Sequence, residues 1–143
     1  MTTDVIGMLN AYSEGLAAAR QDYHVTLGEA IDIATKISQE NDTYPVNFED
    51  GSSPSGTNSY RGYYEDLAIE FNSFRTSIGE FKKMLNDALN EEFTGYKGGE
   101  YIMNEDTPLW KSNYGNASGD AIIKIALNDY GGVIIYTKNV NKD

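Results

Sequence analysis

Cysteine is absent from the 143 residues, and histidine occurs once, at His24. The first absence excludes disulfides, thiolate catalysis and every cysteine-based zinc site. The second excludes any constellation that needs a histidine pair. Proline is scarce, at three residues, and no apolar run approaches the roughly 18 residues of a membrane-spanning helix. Positive charge is also short: 11 Lys and Arg stand against 22 Asp and Glu, a net charge of −11. A field of that sign repels a long nucleic-acid polymer and an anionic membrane surface. A small anionic ligand is not excluded, because it needs only a few local cations and some backbone N–H groups. The opening residues Met1, Thr2, Thr3 and Asp4 lack the basic region of a secretory signal, so a cytoplasmic location is expected.

Tyrosine is what the chain has in abundance: 11 residues, beside five Phe and one Trp. Tyrosine rings pack while their hydroxyls stay hydrogen-bonded, which suits interfaces and stacking pockets. The length matches one domain with a core of its own, so residues 1–143 are read as a single domain.

Along the chain, Val5, Met8, Leu9, Tyr12, Leu16 and Ala19 follow one face of a helix over 3–21, with Thr3 or Asp4 able to cap it. Thr26 and Glu29 have capping-box spacing ahead of the stripe Leu27, Ala30, Ile31, Ala34 and Ile37. Asn41 and Asp42 end that helix, and Pro45 prevents its continuation into a short strand over 46–49. The stretch 50–59 is rich in Ser and Gly and reads as a mobile surface loop. Leu67, Ile69 and Phe71 alternate with Ala68, Glu70 and Asn72, the pattern of a half-buried strand. Thr76 or Ser77 caps a third helix carrying Ile78, Phe81, Met84, Leu85, Ala88 and Leu89. A glycine-rich turn at 94–99, extended pieces near 100–103 and 108–110, and a hairpin of 121–127 with 133–137 complete the reading. Ile123, Ile125 and Leu127 are expected on one face of that hairpin. The fold class is α+β: N-terminal helices, a small and mainly antiparallel sheet, and one further helix.

No catalytic pattern emerges, and no cofactor or metal is indicated. His24 has no nucleophile near it in sequence and reads as a linker or interface residue. Acidic neighbours such as Glu65 and Asp66, or Glu105 and Asp106, point in different directions on a regular element and so do not share one metal. Gly95, Gly98 and Gly99 around Lys97 let backbone N–H groups approach an anion, yet lack Walker spacing and are equally a plain turn. Arg61, between Tyr60 and Tyr63, pairs a planar fork for phosphate oxygens with rings on which a base stacks. An arginine stacked on tyrosine at a subunit contact fits the same residues. Trp110, with Asn113 and Tyr114 after it, suits purine recognition or a sheet core.

The stretches Ser59-Tyr60-Arg61-Gly62-Tyr63-Tyr64-Glu65-Asp66-Leu67-Ala68 and Gly95-Tyr96-Lys97-Gly98-Gly99-Glu100-Tyr101, with Asp106-Thr107-Pro108-Leu109-Trp110 and Asn113-Tyr114-Gly115, resemble a family of small phage proteins. These are the Thoeris anti-defense proteins, cyclic ADP-ribose sponges. The resemblance implies a homo-oligomeric protein in the host-cell cytoplasm that sequesters glycocyclic ADP-ribose, a signal made by bacterial TIR-domain enzymes, without cleaving it. On that reading Arg61 and Lys97 neutralise the diphosphate. Tyr60, Tyr101, Trp110 and Tyr114 are available for stacking, and Asn113 hydrogen-bonds the base or ribose. Neither a nucleic-acid polymer nor a membrane is an expected partner. The alternative is an acidic protein that inhibits a bacterial defence factor by direct protein–protein contact; the net charge of −11 suits it.

Overall fold

The computed structural model describes residues 25–59, 67–89, 92–94, 100–112, 118–128 and 130–141. Two helices lie in this part. Helix α1, Leu27–Glu40, starts where Thr26 Oγ1 accepts a hydrogen bond from the Glu29 N–H at 3.3 Å. Helix α2, Ile78–Ala88, starts on a full capping box: Ser77 Oγ accepts from the Glu80 N–H, and the Glu80 carboxylate accepts from the Ser77 N–H. Each cap satisfies backbone donors that the first helical turn leaves free. The apolar stripes largely follow their spacing: Ile33 joins Leu27, Ala30, Ala34 and Ile37 on the buried face of α1, while the expected Ile31, and Met84 and Leu89 of the second stripe, are only partly buried. The helix expected over 3–21 falls outside the described residues, as does His24.

The strands are β1 (Pro45–Phe48), β2 (Ser53–Ser59), β3 (Leu67–Asn72), β4 (Thr76–Ser77), β5 (Glu92–Thr94), β6 (Glu100–Ile102), β7 (Leu109–Lys111), β8 (Ser118–Leu127) and β9 (Val133–Asn141). Seven of them form one sheet in the order β2-β3-β7-β8-β9-β1-β4, while β5 and β6 pair separately. The architecture is α+β. The main sheet is larger than expected and mixed, because β1 runs parallel to β9 and β3 parallel to β7 among otherwise antiparallel neighbours.

Both helices and one face of the sheet share a core that includes Leu27, Ile37, Phe48, Ile69, Phe81 and Ile135, each at most 2% exposed. The sheet bends until its end strands approach, and Thr76 Oγ1, on β4, donates to the Pro54 carbonyl of β2 at 2.6 Å. The opposite face of β3, β7 and β8 carries a smaller buried cluster of Ala68, Trp110 and Ala121, against which Ile123 packs. Among the described residues, no helix is long and apolar enough to cross a membrane.

Two sequence expectations are corrected here. The stretch 50–59 is not a loop throughout: from Ser53 onward it is strand β2, paired antiparallel with β3. Ser53 and Pro54 are buried, and the register shifts between Pro54 and Gly56. Proline is tolerated because it sits on an edge strand beside a bulge. Pairing with an apolar neighbour thus outweighs the poor strand propensity of these residues. The connecting turn is short, with Gly51 at φ +91° and the Asp50 carboxylate accepting from both the N–H and the hydroxyl of Ser52.

The second correction concerns β8. Its register with β9 shifts between Ile122 and Lys124, so Ile122 joins Ile125 and Leu127 in the main core. Ile123 turns to the opposite face, beside Trp110. An inserted residue reverses the alternation beyond it. The hairpin turn is as expected: Asn128 Oδ1 accepts from the N–H groups of Tyr130 and Gly132, and Gly131 adopts φ +79°. A Cβ on Gly131 would also lie 3.0 Å from the Tyr44 ring.

Candidate functional site

Strand β7 anchors the ends of two candidate stretches, one at each of its own ends. Its Leu109 N–H donates to the Val25 carbonyl at 3.0 Å. Leu67, the first residue after 60–66, donates its N–H to the Pro108 carbonyl at 3.0 Å. From there β3 runs in register with β7, placing Ala68 opposite Trp110. At the far end the Ser112 N–H donates to the Ile69 carbonyl at 3.0 Å, immediately before 113–117. Three strand residues separate the two junctions, a span of about 10 Å. The β6 strand, which contains Tyr101, connects to β7 through Met103 and a tight turn. In that turn Asn104 Oδ1 accepts from the Asp106 N–H, and Thr107 Oγ1 accepts from the Asn104 N–H.

Of the expected ligand-binding residues, Trp110 alone has a described side chain. Tyr60, Arg61, Lys97, Asn113 and Tyr114 lie outside the described residues, and of Tyr101 only the strand position is described. Trp110 is 2% exposed. Of the two placements left open by the sequence, the sheet-core one therefore holds, and its ring offers almost no free face to a base. Ser112 Oγ, two residues on, is buried with no hydrogen-bond partner among the described residues.

Neither helix offers a phosphate site at its N-terminus. In α1 the Leu27 and Gly28 N–H groups donate to the carbonyls of Thr107 and Glu105, and Glu29 donates to its cap. In α2 the Ile78 and Gly79 N–H groups donate to the carbonyls of Tyr44 and Asp42. The donors that would cradle an anion are occupied by the protein itself. Several described lysines are occupied too: Lys36 pairs with Asp32, Lys83 with Asp87 and Lys111 with Asp50.

The last of these pairs was not legible in the sequence. Lys111 Nζ lies 2.7 Å from Asp50 Oδ2, 4.4 Å from the centre of the Phe71 ring and 4.8 Å from that of Phe48. The two rings meet edge to face at 6.1 Å. The hydrogen bond from Lys111, then those from Ser52, hold the Asp50 carboxyl well below the usual carboxylate range. The arrangement ties the β1–β2 turn to β7.

Among the described residues the grooves of ligand size include two on the helices and one of about 320 Å³ beside Leu89, Asn104, Glu105 and Asp106. Of the two on the helices, one, of about 350 Å³, has Ile31 and Leu89 as apolar contacts and Glu29, Asp32, Glu105 and Asp106 on its walls. Its charge disfavours a diphosphate. The other, of about 430 Å³, lies between β2 and α2. Among the described residues no cluster of three or more His, Asp or Glu is arranged to hold a metal ion. Comparison with known proteins found no matching family model, no matching curated protein and no matching solved structure.

Proposed function

We propose that the protein binds and sequesters glycocyclic ADP-ribose without cleaving it, and so blocks the Thoeris defence, as the anti-defense proteins it resembles do. The observation that supports this reading is the shared anchor at β7: the residue after the stretch 60–66 pairs beside Pro108 at one end of the strand, and the stretch 113–117 follows Ser112 at the other. Two segments of the resemblance are thereby anchored to one short strand. In this reading Arg61 and Lys97 neutralise the diphosphate. Tyr60, Tyr101 and Tyr114 stack on the base, Asn113 hydrogen-bonds it or the ribose, and Trp110 supports the site from the sheet. The saturated helix N-termini add to the case for side-chain cations as the phosphate ligands.

Affinity constrains the assembly. One base stack contributes about 1–3 kcal/mol, and two charge-assisted hydrogen bonds contribute about 1.5–3 kcal/mol each. Their sum reaches the roughly 8 kcal/mol of micromolar binding and falls short of the roughly 12 kcal/mol of nanomolar binding. A competitive sponge therefore uses a closed pocket, and a second protomer is the proposed source of its missing wall. The protein acts in the host-cell cytoplasm, where the messenger is made.

A second reading has its own observation. The groove walled by Glu29, Asp32, Glu105 and Asp106 would suit a basic segment of a defence protein, as an acidic inhibitor requires. Heating the purified complex and chromatographing the released nucleotide tests the first reading: intact ligand supports sequestration, and a cleaved product refutes it.

A further inference from the structure

We propose that Asp50–Gly51 is a latent isoaspartate site, held unreactive by the ion pair between Asp50 and Lys111. It is the one Asp-Gly step in the chain, which has no Asn-Gly step. Such a step rearranges without an enzyme, because glycine leaves the backbone nitrogen after the aspartate unhindered. Gly51 adopts φ +91°, and among the described residues nothing beyond its chain neighbours lies within 4 Å of where a Cβ would sit. The Asp50 side chain is 55% exposed, so water reaches it.

The reaction balances with water alone. The Gly51 nitrogen gives up its proton and bonds to Asp50 Cγ, while a Cγ–O bond breaks. The oxygen leaves as water, and the product is a cyclic succinimide. Water then adds to one of the two ring carbonyls, and the C–N bond at that carbonyl breaks. Opening at the side-chain carbonyl restores aspartate. Opening at the main-chain carbonyl leaves a β-linked isoaspartate of unchanged mass. The first step needs a neutral carboxyl group, since a carboxylate repels the incoming electron pair and holds its oxygen.

The folded chain opposes each requirement. Lys111 Nζ, held between the rings of Phe48 and Phe71, lies 2.7 Å from Asp50 Oδ2 and keeps the carboxylate charged. Asp50 Oδ1 accepts from the Ser52 N–H at 2.9 Å and from the Ser52 hydroxyl at 2.6 Å. These contacts must loosen before Cγ turns onto the Gly51 nitrogen. That nitrogen is engaged as well, its N–H donating to the Phe48 carbonyl at 3.0 Å. Isoaspartate would lengthen the main chain by one carbon and move the free carboxylate to Cα, away from Lys111. The modification thus cuts the tie between the β1–β2 turn and β7. Asp50, Gly51 and Lys111 take no part in the nucleotide reading, so the two stand apart.

The test is incubation of the whole protein at neutral pH for several weeks, followed by digestion and electron-transfer fragmentation, which tells a β-linkage at position 50 from aspartate. A synthetic peptide of residues 45–56 supplies the unprotected rate. Isomerisation is expected to be about tenfold or more slower in the protein than in the peptide, as the loss of one charge-assisted hydrogen bond implies. Lys111→Met should raise the protein's rate severalfold. Gly28→Ala, which weakens the fold elsewhere, should react at the wild-type rate. Equal rates in protein and peptide would overturn the proposal. So would Lys111→Met at the wild-type rate, or Gly28→Ala as fast as Lys111→Met. The comparison with the peptide needs no variant, so a folding defect cannot imitate it.

Discussion

Lys111 and Asp50, 61 positions apart in sequence, form an ion pair of 2.7 Å that ties the turn after β1 to the centre of the sheet. The lysine side chain is only 12% exposed, held between Phe48 and Phe71, whereas the aspartate is 55% exposed. Removing the carboxylate therefore leaves an ammonium group largely shielded from water. Asp50→Ala is expected to cost about 1–2 kcal/mol in urea unfolding, after allowance for the exposed side of the pair. Lys111→Met, which keeps the apolar stem and removes the charge, is expected to cost less.

The same pair predicts a pH dependence. The folded-state pKa of Asp50 is depressed, so its contribution is complete above the unfolded value near pH 4 and is lost as pH falls toward the folded value. The stability difference between the wild type and Asp50→Asn should thus be constant from pH 7 to about 5 and shrink below about pH 4. Unfolding midpoints across that range check the sign; a difference that grows on acidification would contradict it.

Helix α1 and the turn before β7 are packed too closely for a side chain at position 28. A Cβ on Gly28 would lie 2.9 Å from Glu105 Cβ and 3.0 Å from the Glu105 carbonyl oxygen, which itself accepts the Gly28 N–H. Gly28→Ala is expected to displace the turn at 104–107 and to destabilise the protein by about 1–3 kcal/mol. Thermal unfolding measures the loss, and hydrogen exchange at Asn104 and Thr107 locates it.

Trp110→Ala is expected to lower stability by about 3–5 kcal/mol, the cost of emptying a buried aromatic site. Arg61→Ala is expected to leave the unfolding midpoint nearly unchanged and to weaken nucleotide binding about tenfold or more, through a lost charge-assisted contact. Unfolding curves paired with titrations of both variants separate a packing residue from a ligand contact.

Much of this fold is local in origin and therefore legible in sequence. The N-cap at Thr26, the capping box at Ser77, the stripe from Ile78 to Ala88 and the turn at Asn128–Gly132 each lie within a few neighbouring residues. What escaped depends on contacts distant in sequence. The strand at Ser53–Ser59 exists because Leu67–Asn72 pairs with it, and the shift at Ile122/Lys124 is imposed by the ladder to β9. The parallel pairings of β1 with β9 and of β3 with β7 leave no local trace. At the candidate site, sequence supplied the residue types, whereas the burial of Trp110 and the capture of Lys111 by Asp50 arise only from packing.

Titration calorimetry of the purified protein with glycocyclic ADP-ribose tests the central reading most directly, with the complex then heated and the released nucleotide chromatographed. Sequestration predicts submicromolar binding and recovery of the ligand intact. No heat at high protein concentration, or recovery of a cleaved product, would contradict it.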